Sequence, residues 1–212
     1  MKIQLALDRM EIAEAIELTR QVADSIDWVE VGTSLIKEFG VVSVKELKQA
    51  FPEKTVVADI KTIDNARYEF EMCFEAGADI ATVMGAAPLV TIDACMEVAC
   101  RYKKKVMIDL LNTSSEQKKA LLKYKEAILC DHVSKDEQEE AGSKNRGTKS
   151  GLDDPAIQVA AAGGITLESI GTLRATLNPA VAIIGSAITK AENPAEAAAK
   201  FKQICQQEEE LV

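Results

Sequence analysis

The 212-residue sequence is short of positive charge: 25 Lys and Arg stand against 34 Asp and Glu, a formal net charge of −9. A general nucleic-acid binder ordinarily carries a basic footprint, so this balance argues against that class. An anionic substrate remains open, because backbone donors can hold a phosphate whatever the net charge. Cysteine pairs spaced for zinc are missing. Cys73, Cys95, Cys100, Cys130 and Cys205 fall mostly within apolar or helical patterns and read as reduced core or helix residues. The first ten residues already contain Asp8 and Arg9, and no long apolar run follows them. A conventional signal peptide or membrane span is therefore not expected, and the protein reads as cytoplasmic, with no membrane and no nucleic acid among its partners. No linker or low-complexity stretch marks a second domain, and a chain of this length can bury one full core. Histidine is reduced to a single copy, His132.

What the chain does contain is an alternation of short apolar runs and longer amphipathic ones. Strands are expected at 3–7, 28–31, 55–60, 80–84, 105–110, 127–130, 157–162 and 181–184. Helices follow at about 11–25, 35–50, 65–76, 89–102, 115–124, 167–177 and 194–207. Eight strand-then-helix units in about 200 residues suit an α/β protein built as one (β/α)8 (TIM) barrel over residues 1–212. An open doubly wound sheet shows the same alternation, but eight units without an obvious edge strand favour the barrel. The polar stretch 134–154 carries Gly142, Gly147 and Gly151 where a barrel needs its sixth helix. A short helix at 135–141 and then an irregular or mobile connection are expected there.

The most informative segment is Val56-Val57-Ala58-Asp59-Ile60-Lys61-Thr62-Ile63-Asp64. It begins as a strand buried on both faces and ends in an acid, a base and a second acid. Side chains two apart on a strand share a face, which puts Asp59 and Lys61 together. Charges at the end of an apolar strand are costly to bury unless paired or used. A structural ion pair is the bland use. In barrels of this kind, however, the strand carboxyl ends form the active face, and there the other strands place Asp8, Glu30, Asp109 and His132. Singly, Asp8 could cap a helix, Glu30 could be solvated and His132 could be an ordinary loop residue. Together they support chemistry. Glu30 and Asp59, from neighbouring strands, offer hard oxygen ligands suited to Mg²⁺. Lys61, held among acids, should stay protonated and stabilise an oxyanion, whereas a Schiff base would need a depressed pKa. His132 is the natural proton carrier.

The last two expected strands run into glycine, at Gly163-Gly164 and at Gly185-Ser186, each ahead of a helix. Barrels often bind phosphate with the loops after the seventh and eighth strands. Glycine allows the backbone to approach such a ligand closely.

With these residues in view, the sequence resembles the 3-hexulose-6-phosphate synthase / 3-keto-L-gulonate-6-phosphate decarboxylase family of the orotidine 5′-monophosphate decarboxylase suprafamily. The likeness covers nearly the whole chain. It includes Leu5-Ala6-Leu7-Asp8, Val29-Glu30-Val31-Gly32-Thr33, Ala58-Asp59-Ile60-Lys61-Thr62-Ile63-Asp64, Glu75-Ala76-Gly77-Ala78-Asp79, Ala162-Gly163-Gly164-Ile165 and Gly185-Ser186-Ala187-Ile188. The resemblance implies Mg²⁺ at Glu30 and Asp59, enediolate stabilisation by Lys61, and phosphate at the Gly163-Gly164 and Gly185-Ser186 loops. It also implies a catalytic set that includes Asp8, Asp64, Asp109 and His132, and a homodimer in which Asp64 reaches into the partner's site. On the residues alone, Asp64 could equally cap the helix that follows. Thr82-Val83-Met84-Gly85-Ala86, Met107-Ile108-Asp109-Leu110 and Ser186 after Gly185 look more like the synthase branch. The sixth loop, His132-Val133-Ser134-Lys135, departs from both branches. The activity so implied is a Mg²⁺-dependent aldolase that condenses formaldehyde with D-ribulose 5-phosphate through an enediolate. Decarboxylation of 3-keto-L-gulonate 6-phosphate, or non-catalytic phosphosugar binding, are the alternatives.

Overall fold

The computed structural model describes residues 1–133, 152 and 154–206. Eight parallel strands close into a barrel in sequence order, each paired with the next and β8 with β1. They are β1 (Lys2–Leu7), β2 (Trp28–Val31), β3 (Thr55–Thr62), β4 (Ile80–Met84), β5 (Lys105–Asp109), β6 (Ile128–His132), β7 (Gln158–Ala162) and β8 (Val181–Ile184). Between them, among the described residues, lie α1 (Ile12–Val22), α2 (Thr33–Phe39), α3 (Val42–Ala50), α4 (Ala66–Glu75), α5 (Leu89–Tyr102), α6 (Ser115–Leu121), α7 (Ile170–Thr176), α8 (Ser186–Thr189) and α9 (Pro194–Gln206). The expected (β/α)8 barrel is the fold found. The helix expected at 135–141, most of the connection after it and Gln207 lie outside the described residues.

Two corrections concern helices. The single helix expected over 35–50 is two, α2 and α3, separated at Gly40, which adopts φ 65° and whose N–H returns to the Ile36 carbonyl. A left-handed glycine satisfies the last turn of α2 and turns the chain out of it. The first helix is shorter than 11–25, because its last turn tightens into a 3₁₀ segment, Ala23–Ser25. At 115 the sequence signal holds: Ser114 and Gln117 close a capping box that starts α6.

Strand alternation divides the core in two. Val29, Val31, Val56 and Ala58 pack outward against the helices in the larger cluster. Trp28, Val57, Ile80, Met107, Ile128, Cys130, Ala160, Ala162, Val181 and Ile183 fill the barrel interior. The inward positions that follow this apolar layer towards the strand carboxyl ends are Glu30, Asp59, Asp109 and His132, which is how a period of two delivers charge to one mouth of the barrel.

One close approach sets the edge of that mouth. A Cβ built on Gly32 would lie 2.4 Å from the Leu7 carbonyl oxygen and 2.4 Å from the Asp8 carboxylate carbon. The Gly32 N–H donates to that same Leu7 carbonyl at 2.9 Å. Gly32→Ala is therefore expected to destabilise the fold by roughly 1–3 kcal/mol through overpacking against backbone that cannot rotate away. Gly171→Ala, within α7 and with open space around its Cβ, is expected to stabilise by about 0.5–1 kcal/mol. Urea unfolding of the two variants checks the contrast.

Candidate active site

The centre of the site is the Lys61 ammonium. It donates to both Asp59 carboxylate oxygens at 2.9 Å and to Asp109 Oδ2 at 2.9 Å. His132 Nδ1 lies 2.8 Å from the same Asp109 oxygen, while Asp109 Oδ1 accepts from the Leu111 N–H at 2.9 Å. Residues from β3, β5 and β6 thus form one chain of charge: Asp59, Lys61, Asp109, His132.

Asp59 and Lys61 do meet, but not by plain strand alternation. Ala58 pairs with Ala81 and Thr62 with Val83, so β3 carries extra residues between those points. Lys61 sits in the left-handed region at φ 52°. A bulge with a side chain at positive φ is a local irregularity of the kind that re-aims side chains at functional sites. Burial opposes the charge on Lys61, yet the carboxylates of Asp59 and Asp109 outweigh it and hold the ammonium well above the ordinary lysine range. Burial likewise works against ionised Asp109, but His132 and Lys61 together bring it down to about 2.

Glu30 behaves differently. It faces the interior from β2, accepts a hydrogen bond from Gln4 Nε2, and its carboxyl is pushed well above the usual range by burial first and by the neighbouring Asp59 second. The carboxylates buried among the described residues are Glu30, Asp59 and Asp109. One ammonium is shared among the three: it bonds Asp59 and Asp109 directly and offsets only part of the cost at Glu30. Among the described residues no group of three or more His, Cys, Asp or Glu side chains is arranged to hold a metal ion. The adjacent pair Glu30 and Asp59 nevertheless fits a hard divalent cation that draws its other ligands from substrate and water, and such a charge would relieve Glu30. Any such cation must share Asp59 with Lys61.

The remaining predicted residues are distributed around this cluster. Asp8 is exposed and accepts from the Ser34 hydroxyl at 2.6 Å and the Ser34 N–H at 3.2 Å, so it ties β1 to the start of α2 and does not cap α1. It is still close enough to add to the charge felt by Glu30. Asp64 is exposed in the turn after β3, and its carboxylate makes no hydrogen bond or ion pair among the described residues. The N-cap of α4 is Asn65, without a side-chain cap, so Asp64 is not used as a helix cap either. Gly163 and Gly164 both take positive φ, 93° and 60°, directly after β7. Gly185 caps the short α8 directly after β8, with Ser186 exposed beside it. Both glycine loops therefore open at the same barrel mouth as the charged cluster. A different cleft of about 790 Å³ lies at the opposite, amino end, lined by Lys2, Asp27, Ala180 and Lys202, where Asp27 is already paired with Lys202 at 2.9 Å.

Three residues were missed from sequence. Gln4 supports Glu30, Thr33 Oγ1 donates to Asp59 Oδ2 at 2.7 Å, and Thr82 Oγ1 donates to Asp59 Oδ1 at 2.9 Å. The available signal was parity: Gln4 lies four residues before Asp8, on its face of the strand, and Thr82 lies two after the interior Ile80.

A closed barrel with a lysine–carboxylate–histidine chain at its strand carboxyl ends defines an enzyme of the (β/α)8 class. Within that class, the family model described as orotidine 5'-phosphate decarboxylase / HUMPS matches residues 1–201, and the chain belongs to that family. It is 39% identical over 209 residues to a 3-hexulose-6-phosphate synthase of Bacillus subtilis, covering 96% of this chain and 98% of that one. The crystal structure of 3-hexulose-6-phosphate synthase from Salmonella typhimurium superposes with a TM-score of 0.88 at 33% identity, covering 98% and 99% of the two chains. That of 3-keto-L-gulonate-6-phosphate decarboxylase from Vibrio cholerae gives 0.81 at 31%, covering 97% of each. The activities in these names are carbon–carbon lyases, and the chain is an enzyme of that class.

Asp109 supplies a pH test. Its pKa is lowered on folding, so it contributes stability above its unfolded value of about 3.9 that is lost as pH falls through about 2. The contribution is on the order of 2 kcal/mol. Asp109→Asn is expected to be less stable than the wild type at pH 6, with the gap narrowing as pH drops below about 4. Urea titrations along that series measure it; a gap that widens in acid would exclude the pairing described.

Proposed function

We propose that the protein is an aldehyde-lyase acting on phosphosugars, which reversibly condenses formaldehyde with D-ribulose 5-phosphate to give 3-hexulose 6-phosphate. The observation that carries this reading is the Lys61 ammonium clamped between Asp59 and Asp109, with His132 on the far side of Asp109. A lysine held so firmly protonated is a poor Schiff-base nucleophile and a good fixed positive charge. Lys61 would stabilise the enediolate oxygen that forms as a proton leaves C1 of the pentulose. His132, with Nδ1 engaged by Asp109, has Nε2 left to exchange that proton. The C1 carbanion then attacks the carbonyl carbon of formaldehyde, whose oxygen takes up a proton as the new carbon–carbon bond forms. The Gly163-Gly164 and Gly185-Ser186 backbones would hold the phosphate. Glu30 and Asp59 would hold Mg²⁺, which when bound would offset the negative charge developing on the substrate oxygens. Asp8 orders the β2–α2 turn beside Glu30. We place the enzyme in the cytoplasm, in keeping with its five free cysteines and the absence, among the described residues, of a helix long and apolar enough to cross a membrane.

Lys61→Ala and Asp59→Asn are each expected to reduce turnover by about 10³-fold or more while leaving the barrel folded, since the first removes the positive charge aimed at the reacting oxygen and the second the carboxylate that holds it in place. Assays should offer both D-ribulose 5-phosphate with formaldehyde and 3-keto-L-gulonate 6-phosphate, with Mg²⁺ and with chelator. Turnover of the second substrate alone would replace the synthase reading with a decarboxylase. Full activity in chelator would remove the cation.

We further propose a homodimer in which Asp64 serves the neighbouring subunit. Support comes from its exposed, unpaired carboxylate beside Ile63 and Tyr68, which are 52% and 64% exposed. Mixing inactive Asp64→Ala with inactive Lys61→Ala chains should restore up to about one intact site per heterodimer. No recovery under demonstrated subunit exchange returns Asp64 to its own subunit.

A further inference from the structure

We propose that Thr82 is a positioning residue that locks the β3 bulge and so aims Lys61 and Asp59 together. Its hydroxyl accepts from the Lys61 backbone N–H at 2.8 Å and donates to Asp59 Oδ1 at 2.9 Å. One hydroxyl has a single hydrogen and two lone pairs, so the two bonds are compatible and use opposite polarity. Thr82 is 3% exposed on β4, facing the point where the β3–β4 ladder is interrupted. In that interruption the Lys61 N–H is paired with a side chain instead of a strand carbonyl, and the residue itself is left-handed. Without the hydroxyl, the half-buried Lys61 N–H would lose its partner and the bulge would have reason to revert toward a regular strand. Such a reversal would carry the Lys61 side chain away from Asp59 and Asp109. Thr33 offers a contrast, because it touches the Asp59 carboxylate but not the Lys61 backbone.

The catalytic half of this inference rests on the lyase reading above; the structural half does not, and the test separates them. Thr82→Val keeps the shape and removes the hydroxyl, Thr82→Ala does so without any risk of overpacking, and Thr82→Ser keeps the hydroxyl. In protein labelled with ¹⁵N-lysine, exchange of the Lys61 amide should be roughly tenfold or more faster in the Val and Ala variants, and near wild type in Thr82→Ser and Thr33→Val. In the substrate assay, kcat should fall roughly 100-fold in the Val and Ala variants with KM little changed, and Thr82→Ser should restore most of it. Unchanged Lys61 exchange in a folded Val or Ala variant would overturn the proposal. So would a Ser variant as impaired as the Val variant, or wild-type kcat in all three. A wild-type protein inactive on both substrates would refute the function proposed above, while the exchange data would still decide the role of Thr82.

Discussion

The site depends on one half-buried cation held by two carboxylates. Lys61 is brought into a barrel mouth where burial disfavours its charge, and Asp59 and Asp109 outweigh that tendency. An ion pair in such a place is a poor source of net stability, because desolvation takes back most of the Coulombic gain. Its worth lies elsewhere. The pair holds a positive charge that neither deprotonates nor wanders, at a fixed point in the barrel mouth. Asp109 extends that order to His132, so electrostatic stabilisation and proton transfer share one carboxylate.

The same charge balance explains why the acidic side of the mouth is unfinished. Asp59 and Asp109 are bonded directly to Lys61, while Glu30 feels that ammonium only at a distance and accepts from the Gln4 amide, and burial, Asp59 and, more weakly, Asp8 outweigh both. A buried carboxyl in that position either takes up a proton or finds a cation. An adjacent pair of acids, with no third such ligand among the described residues, suits a hard ion that accepts oxygen from substrate and solvent, and it does not suit a closed structural site.

Much of this was legible in the chain because the relevant signals have short periods. Alternation at period two and eight repeated units are written locally, so the barrel and the inward positions of Glu30, Asp59, Asp109 and His132 follow from spacing. What was not legible depends on neighbours distant in sequence. The left-handed turn at Lys61 is stabilised by Thr82, 21 residues further on, and a lone threonine inside an apolar strand reads as ordinary β-propensity. Gln4 acquires meaning only once β2 lies beside β1 with Ala6 opposite Glu30. The break at Gly40 was missed because the amphipathic pattern continues across it into α3, although glycine itself was the cue.

The two ends of β3 show how the barrel keeps irregularity confined. At its amino end Asp79 accepts from Lys48 at 2.8 Å, Lys104 at 2.6 Å and the Val56 N–H at 2.9 Å, tying α3, β3 and the approach to β5 in one polar knot. Burial resists that carboxylate, but the two lysines keep it below its usual range, so the knot persists at any pH where the aspartate is charged. The ladder from Val57 to Ala58 is regular, and the departure begins only after Ala58. A strand anchored in this way at one end can tolerate a left-handed lysine at the other, because the register that precedes the bulge has no freedom to slip. Stability collected at the amino face thus lets the carboxyl face hold its charges in positions a regular sheet would not allow.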